Sequence, residues 1–168
     1  MKVICRKGEY LVGEIVEEYT NMLYRLAMVR TNNQADAEEV VQDTFLRFMY
    51  QIKKGMVFED KEHIKAWLLK VAVNRGKTIV TLMSNKRTES LDAVADLPAK
   101  GAEENYAYAY VLQLPEKYRI AINLFYYEQL STEQIAEIMR TKPTTVRSYL
   151  HRGREKLKEM MEADGYVG

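Results

Sequence analysis

The amino-acid sequence predicts an all-α protein built from two small helical domains joined by a flexible linker. Apolar residues recur at steps of three and four through most of the chain, the period of amphipathic helices. Between residues 84 and 104 that period stops, and the sequence turns polar and small around Pro98 and Gly101, as linkers do. No strand-like alternation persists long enough to predict a sheet. The expected organisation is a first domain over 1–83, a linker over 84–104 and a second domain over 105–168.

Leu11, Ile15, Tyr19, Met22, Leu23, Leu26 and Val29 mark one face of a first helix. Asn32, Asn33 and Gln34 interrupt it, with Asn33 placed to cap a second helix carrying Ala37, Val40, Val41, Thr44, Phe45, Phe48, Met49 and Ile52. Gly55 ends that pattern. After a short loop through Phe58, Glu59 and Asp60, a third helix is marked by Ile64, Trp67, Leu68, Val71, Ala72 and Ile79. Helices sharing apolar faces in this way make a small bundle, and Trp67, in phase with Ile64 and Val71, is expected in its core.

Beyond the linker, Tyr106, Tyr110, Val111 and Leu114 suit one helix, and Pro115, well placed at a first helical position, opens another through Tyr118, Ala121, Ile122 and Phe125. Ser131-Thr132-Glu133-Gln134 reads as a capping box, in which Ser131 and Gln134 satisfy each other's free backbone donors. The helix it starts carries Ile135, Ala136, Ile138 and Met139. Arg140, Thr141 and Lys142 form a turn, and Pro143 begins a final helix with Val146, Leu150, Gly153, Leu157 and Met160.

Composition bounds the function. At 47% apolar and 29% charged residues the chain lies far from the disordered regime. The net charge of +1 conceals an uneven distribution, acidic in an early helix and basic near the end. The single Cys5 permits no internal disulfide and no paired-cysteine zinc site, which fits a reducing cytoplasm and makes Cys5 a bystander. No run approaches the roughly 18 apolar residues of a membrane span, and Met1 to Tyr10 lacks the apolar core of a signal peptide. A soluble cytoplasmic protein without membrane insertion is expected, with no cofactor and no metal.

The closing segment holds Arg140, Lys142, Arg147, Arg152, Arg154, Lys156 and Lys158 on a helix whose apolar residues keep a separate face. With the capped helix and tight turn before it, this is a helix-turn-helix, whose second helix lies in the major groove of DNA. Thr144, Thr145, Arg147, Ser148 and His151 are then placed to read base edges, while Arg152, Arg154 and Lys156 hold phosphates. A bidentate Arg147–guanine contact is worth about 1–3 kcal/mol of discrimination.

The run Leu130 to Met139, LSTEQIAEIM, followed by Thr145 to Arg154, TVRSYLHRGR, resembles region 4 of the extracytoplasmic-function sigma factors. Asp36 to Arg47, DAEEVVQDTFLR, resembles their region 2.2, and Trp67 to Asn74, WLLKVAVN, their regions 2.3 to 2.4. The resemblance covers about Val12 to Met160. It implies a three-to-four-helix region 2 bundle, a region 4 helix-turn-helix, and no catalysis by the chain itself. It implies core RNA polymerase as partner, met at the clamp helices of the largest subunit by Asp36, Glu39, Gln42, Asp43 and Arg47, and at the flap of the second-largest subunit by Pro115 to Phe125. Promoter DNA is the second implied partner, with Phe58, Lys70, Asn74, Arg75 and Lys77 at the minus-ten element. At the minus-thirty-five element it implies Thr144, Thr145, Arg147, Ser148, His151, Arg152 and Arg154. The loop Phe58 to His63 is implied to receive a base flipped from the stack. An anti-sigma protein is the third implied partner.

Three positions depart from the family pattern. Thr144 stands where Gly is frequent, Tyr149 where Arg or Lys is common, and Gly153 where Ala is usual. Tyr149 removes an expected phosphate contact, and Gly153 is expected to weaken its helix by about 0.5–1 kcal/mol relative to Ala.

Two other readings compete. A helix-turn-helix repressor or activator accounts for the basic helix but not for the acidic helix joined to the Trp67 to Asn74 motif. An enzyme would need convergent nucleophiles, bases or metal ligands, yet only His63 and His151 are present and no Gly-rich phosphate loop occurs.

Overall fold

The computed structural model describes residues 1–84 and 102–165, with side chains described for 1–78 and 107–165. The chain divides into two compact units, Met1–Leu91 and Asp92–Gly168. Most of the expected linker, residues 85–101, lies outside the described residues, but its last three positions, Ala102 to Glu104, belong to a helix.

In the first unit, α1 (Val12–Thr31), α2 (Gln34–Lys53) and α3 (Lys61–Ser84) pack on one another. Two adjacent asparagines divide the first pair. Asn32 adopts a left-handed conformation at φ 51° and its N–H donates to the Met28 carbonyl at 2.7 Å, closing α1. Asn33 returns to extended backbone, and its side-chain oxygen accepts from the Asp36 N–H at 3.0 Å, opening α2. Asparagine tolerates both roles because its short amide bonds locally to backbone.

The shared core is formed by Ile15, Leu23 and Leu26 of α1, Val40 and Phe48 of α2, and Ile64, Leu68 and Leu69 of α3, all fully buried. Each contributes roughly 1.5–3 kcal/mol of apolar burial. Arg30 is also buried, its Nε donating to the Val73 carbonyl at 3.3 Å, directly over Gly76. A Cβ at position 76 would collide with Arg30 Cγ, so glycine is what lets α1 and α3 approach there.

A sheet that the sequence did not predict precedes α1. Strands β1 (Lys2–Cys5) and β2 (Gly8–Leu11) form an antiparallel hairpin, Lys2 facing Leu11 and Cys5 facing Gly8. At four residues each, the strands are too short for their alternation to show as a period. Only Val3 and Cys5 turn inward to the core; Lys2 and Ile4 face out.

The second unit contains α4 (Ala102–Leu112), α5 (Glu116–Ile122), a π-helical turn at Asn123–Tyr127, α6 (Thr132–Met139) and α7 (Pro143–Ala163). Pro115 caps α5 from outside rather than occupying its first turn, while Pro143 opens α7. Ile120, Ile122, Leu124, Ile135, Val146 and Leu150 fill the interior. Tyr110 donates to Asp164 at 2.5 Å, tying α4 to the end of α7. Gly153 lies where α7 meets α5. A Cβ there would stand 3.1 Å from Ile122 Cγ1 and 3.4 Å from Tyr118 Cβ, so glycine permits the close seating of α7 on α5.

Candidate nucleic-acid and polymerase interfaces

On α2 the exposed residues Glu39, Gln42, Leu46 and Tyr50 follow one another at steps of three and four, forming a single stripe opposite the core. Leu46 and Tyr50 are 61% and 54% exposed, apolar side chains at the end of an acidic run. Sequence reading passed over both, although they are out of phase with the apolar set at 37, 40, 41, 44, 45 and 48. Asp36 departs from expectation. It is only 5% exposed, in the turn capped by Asn33, so it does not belong to the acidic surface.

Asp43 lies beside that stripe, at the seam with α3. Its Oδ2 accepts from Arg47 Nε at 2.9 Å and also pairs with Arg75 Nε. Arg47 is exposed, whereas Asp43 and Arg75 are half-buried. One carboxylate thus joins a residue expected at the polymerase to one expected at DNA.

On α3, Trp67, Lys70, Asn74 and Lys77 share one face at steps of three and four. Trp67 is half-buried, its ring 5.9 Å from Phe48 and 6.0 Å from Phe58. Phe58 does not serve as an exposed stacking surface. It is fully buried, 5.6 Å from Phe48 and 5.3 Å from the His63 ring, because hydrogen bonds from the hairpin draw its backbone onto the bundle. Above it, Asp60 caps α3 by accepting from the His63 N–H at 3.0 Å, while His63 Nδ1 accepts from the Glu59 N–H at 3.0 Å. The His63 amide, aided by Lys7, holds the Asp60 carboxyl below its usual range.

In the second unit the capping box forms as expected: Gln134 N–H donates to Ser131 Oγ at 3.1 Å, and Ser131 N–H to Gln134 Oε1 at 2.9 Å. Arg140 takes a left-handed conformation at φ 56°, Thr141 N–H donates to the Ala136 carbonyl at 2.9 Å, and α7 starts two residues later. Ile135 and Ile138 pack inside with Val146 and Leu150, which turns Thr144, Arg147 and His151 to solvent, with Thr145 and Ser148 half-buried beside them.

The basic residues of α7 differ in their tethers. Arg154 donates to the Tyr126 hydroxyl at 3.0 Å, which fixes its guanidinium, and His151 meets Glu155 at 3.2 Å. Arg152 is exposed. Tyr149 lacks a charge, but Lys117 Nζ lies 5.6 Å from its ring and 5.4 Å from that of Tyr118. A cation from α5 therefore stands beside the position where sequence reading counted one lost.

Family models match both units: Sigma-70 region 2 over residues 15–81 and Sigma-70, region 4 over residues 105–157. Among curated relatives, the ECF RNA polymerase sigma factor SigW of Bacillus subtilis is 30% identical, the match covering 96% of this chain and 94% of that one. The chain belongs to the ECF RNA polymerase sigma factors. SigM of the same organism is 29% identical over 89% of this chain and 94% of its own. Two solved structures share the fold of this sigma factor. RpoE of Bartonella quintana, in complex with the anti-sigma factor NepR, superposes with a TM-score of 0.72 at 22% identity, covering 89% and 93% of the two chains. CnrH, in complex with the cytosolic domain of CnrY, gives 0.65 at 21% identity, covering 91% and 88%. The sigma factor is a DNA-binding transcription initiation factor. The repressor or activator alternative is not favoured, since region 2 accounts for the unit that such a reading left unexplained.

Proposed function

We propose that this sigma factor docks core RNA polymerase through α2 and directs it to promoter DNA with both units. The exposed stripe of Glu39, Gln42, Leu46 and Tyr50, flanked by Asp43 and Arg47, is the surface for the clamp helices of the largest subunit. Acid steers it toward basic partners, and the two apolar side chains supply the desolvated centre that charge alone lacks. Pro115 to Phe125, α5 and the start of the turn after it, meet the flap of the second-largest subunit.

The minus-ten element lies along Lys70, Asn74 and Lys77 of α3, with Arg75 at its edge. A base pulled from the stack enters the loop of residues 59–63 near Trp67, and Phe58 supports that loop from beneath. Flipping costs a few kcal/mol, returned by stacking and edge contacts. The minus-thirty-five element is read by Thr144, Thr145, Arg147, Ser148 and His151, while Arg152, Arg154 and Lys117 hold phosphates. Residues 1–83 and 105–168 act as the two domains, and 84–104 spans between them. The chain works in the cytoplasm without catalysing a reaction itself, and an anti-sigma protein silences it by covering these surfaces.

The observation that carries this reading is the pairing, in one chain, of an acidic helix bearing exposed Leu46 and Tyr50 with a capped helix-turn-helix. In vitro transcription with core polymerase from a random promoter library tests it. Transcripts with defined starts, sharing two upstream elements, are expected. A chain that neither co-migrates with core nor yields any defined start refutes it.

A further inference from the structure

The hairpin of β1 and β2 precedes the residues matched by region 2, which begin at 15, so nothing in that match gives it a role. Its contacts fall on the loop between α2 and α3. Phe58 N–H donates to the Ile4 carbonyl at 3.3 Å, Arg6 N–H donates to the Phe58 carbonyl at 2.9 Å, and Lys7 N–H donates to the Glu59 carbonyl at 3.1 Å. The loop is thereby held beside β1 by an isolated parallel bridge between Cys5 and Phe58.

Side chains continue the attachment. Arg6 pairs with Glu59 at 3.6 Å, and Lys7 approaches Asp60 at 3.5 Å and Glu59 at 3.9 Å. Exposed pairs of this kind hold little by themselves. The backbone bonds, with Val3 and Cys5 buried beneath, carry the fixing. Residues 56–60 otherwise have no helix or sheet to define them, and a loop that must order itself around a ligand binds it more weakly than one already shaped.

We infer that the hairpin Lys2–Leu11 is a positioning element for promoter opening, holding residues 58–60, from which the loop 59–63 rises, in the shape that admits an unstacked base. The inference rests on the reading above that this loop receives the base. Arg6, Lys7 and Ile4 touch the loop and not the base, so they act through it. The hairpin sets how long the captured base stays and how well bases are told apart, and leaves polymerase docking on α2 alone.

Arg6→Pro and Arg6→Gln separate this role from a direct phosphate contact. Both remove the cation, but only proline removes the N–H that donates to Phe58. Cys5 before it is already extended, as a residue preceding proline must be. Arg6 lies in an exposed turn outside every helix, so the bundle is not at stake. Promoter opening is read by permanganate reactivity of unpaired thymines with core polymerase, on promoters carrying each base at the captured position. Core affinity is measured by competition.

The expected result is opening about fivefold lower for the proline variant than for the glutamine variant, the weight of one backbone hydrogen bond. Its differences among the four bases narrow, and the two core affinities are equal. Equal opening and equal discrimination in the two variants overturn the inference, and so does a loss of core affinity that matches the loss of opening. If base identity never alters opening by the unmodified protein, it is the reading of the loop that fails.

Discussion

Replacing Gly76 by alanine sets helix propensity against packing, and the structure decides the sign. In the interior of α3, alanine gains about 0.5–1 kcal/mol over glycine. The new Cβ, however, collides with Arg30 Cγ and lies 3.2 Å from Arg30 Cβ, near the root of the side chain rather than its flexible end. Arg30 is 6% exposed, so the helices must part or its bond to the Val73 carbonyl must break. Overpacking of this kind costs about 1–3 kcal/mol, and a hydrogen bond from a charged group about 1.5–3 kcal/mol. Whichever of the two gives way, less the helix gain, the net expectation for Gly76→Ala is a loss of about 0.5–2.5 kcal/mol, set against the roughly 5–15 kcal/mol that holds a domain. Urea unfolding followed by Trp67, the only tryptophan, reports on this unit, because the indole packs on Phe48 and Phe58. At a mid-range slope of about 2 kcal/mol per molar, the midpoint should fall by about 0.3–1.2 M. Gly13→Ala, in the first turn of α1 with nothing within 4 Å of its added carbon, is a control free of any clash. If Gly76→Ala behaves like Gly13→Ala, the argument from close approach is wrong.

Asp43→Lys should weaken association with core polymerase at least tenfold in a competition assay while leaving helix content unchanged by circular dichroism, and unaltered affinity would remove Asp43 from that surface. Arg147→Ala should relax base preference at one upstream position by about 1–3 kcal/mol, whereas Arg154→Ala should weaken binding to all sequences and flatten the salt slope by about one. Binding across a sequence panel at several salt concentrations separates them. Because the folded Asp60 carboxyl titrates below its ordinary range, its cap is complete above that range and is lost as pH falls through the folded value. The His63 amide signal should report that loss in acid, and Asp60→Asn, which keeps a capping oxygen, should abolish the dependence.

Local signals in the sequence were legible where a single helix turn contains the whole cause. The Asn33 cap and the Ser131–Gln134 box each need only neighbours within three residues, and both formed as expected. Features set by distant segments were not legible. The hairpin strands owe their place to Phe58, more than 50 residues on, which also explains why an aromatic expected to meet DNA became core. Gly76 and Gly153 look like helix defects until Arg30 and Ile122 are seen against them. Leu46 and Tyr50 are the intermediate case: their phase on α2 already marks them as outward, and attention to charge alone hid it.

The carboxylate of Asp43 answers to two guanidinium groups, one on its own helix and one on the next. Anything that engages it from outside must outbid both, and in doing so alters the charge that Arg75 presents on the neighbouring face. On the proposed reading, affinity for polymerase and grip on promoter DNA are then not independent traits of this molecule. Changes at Asp43 and at Arg75 should therefore be non-additive in a double-mutant cycle.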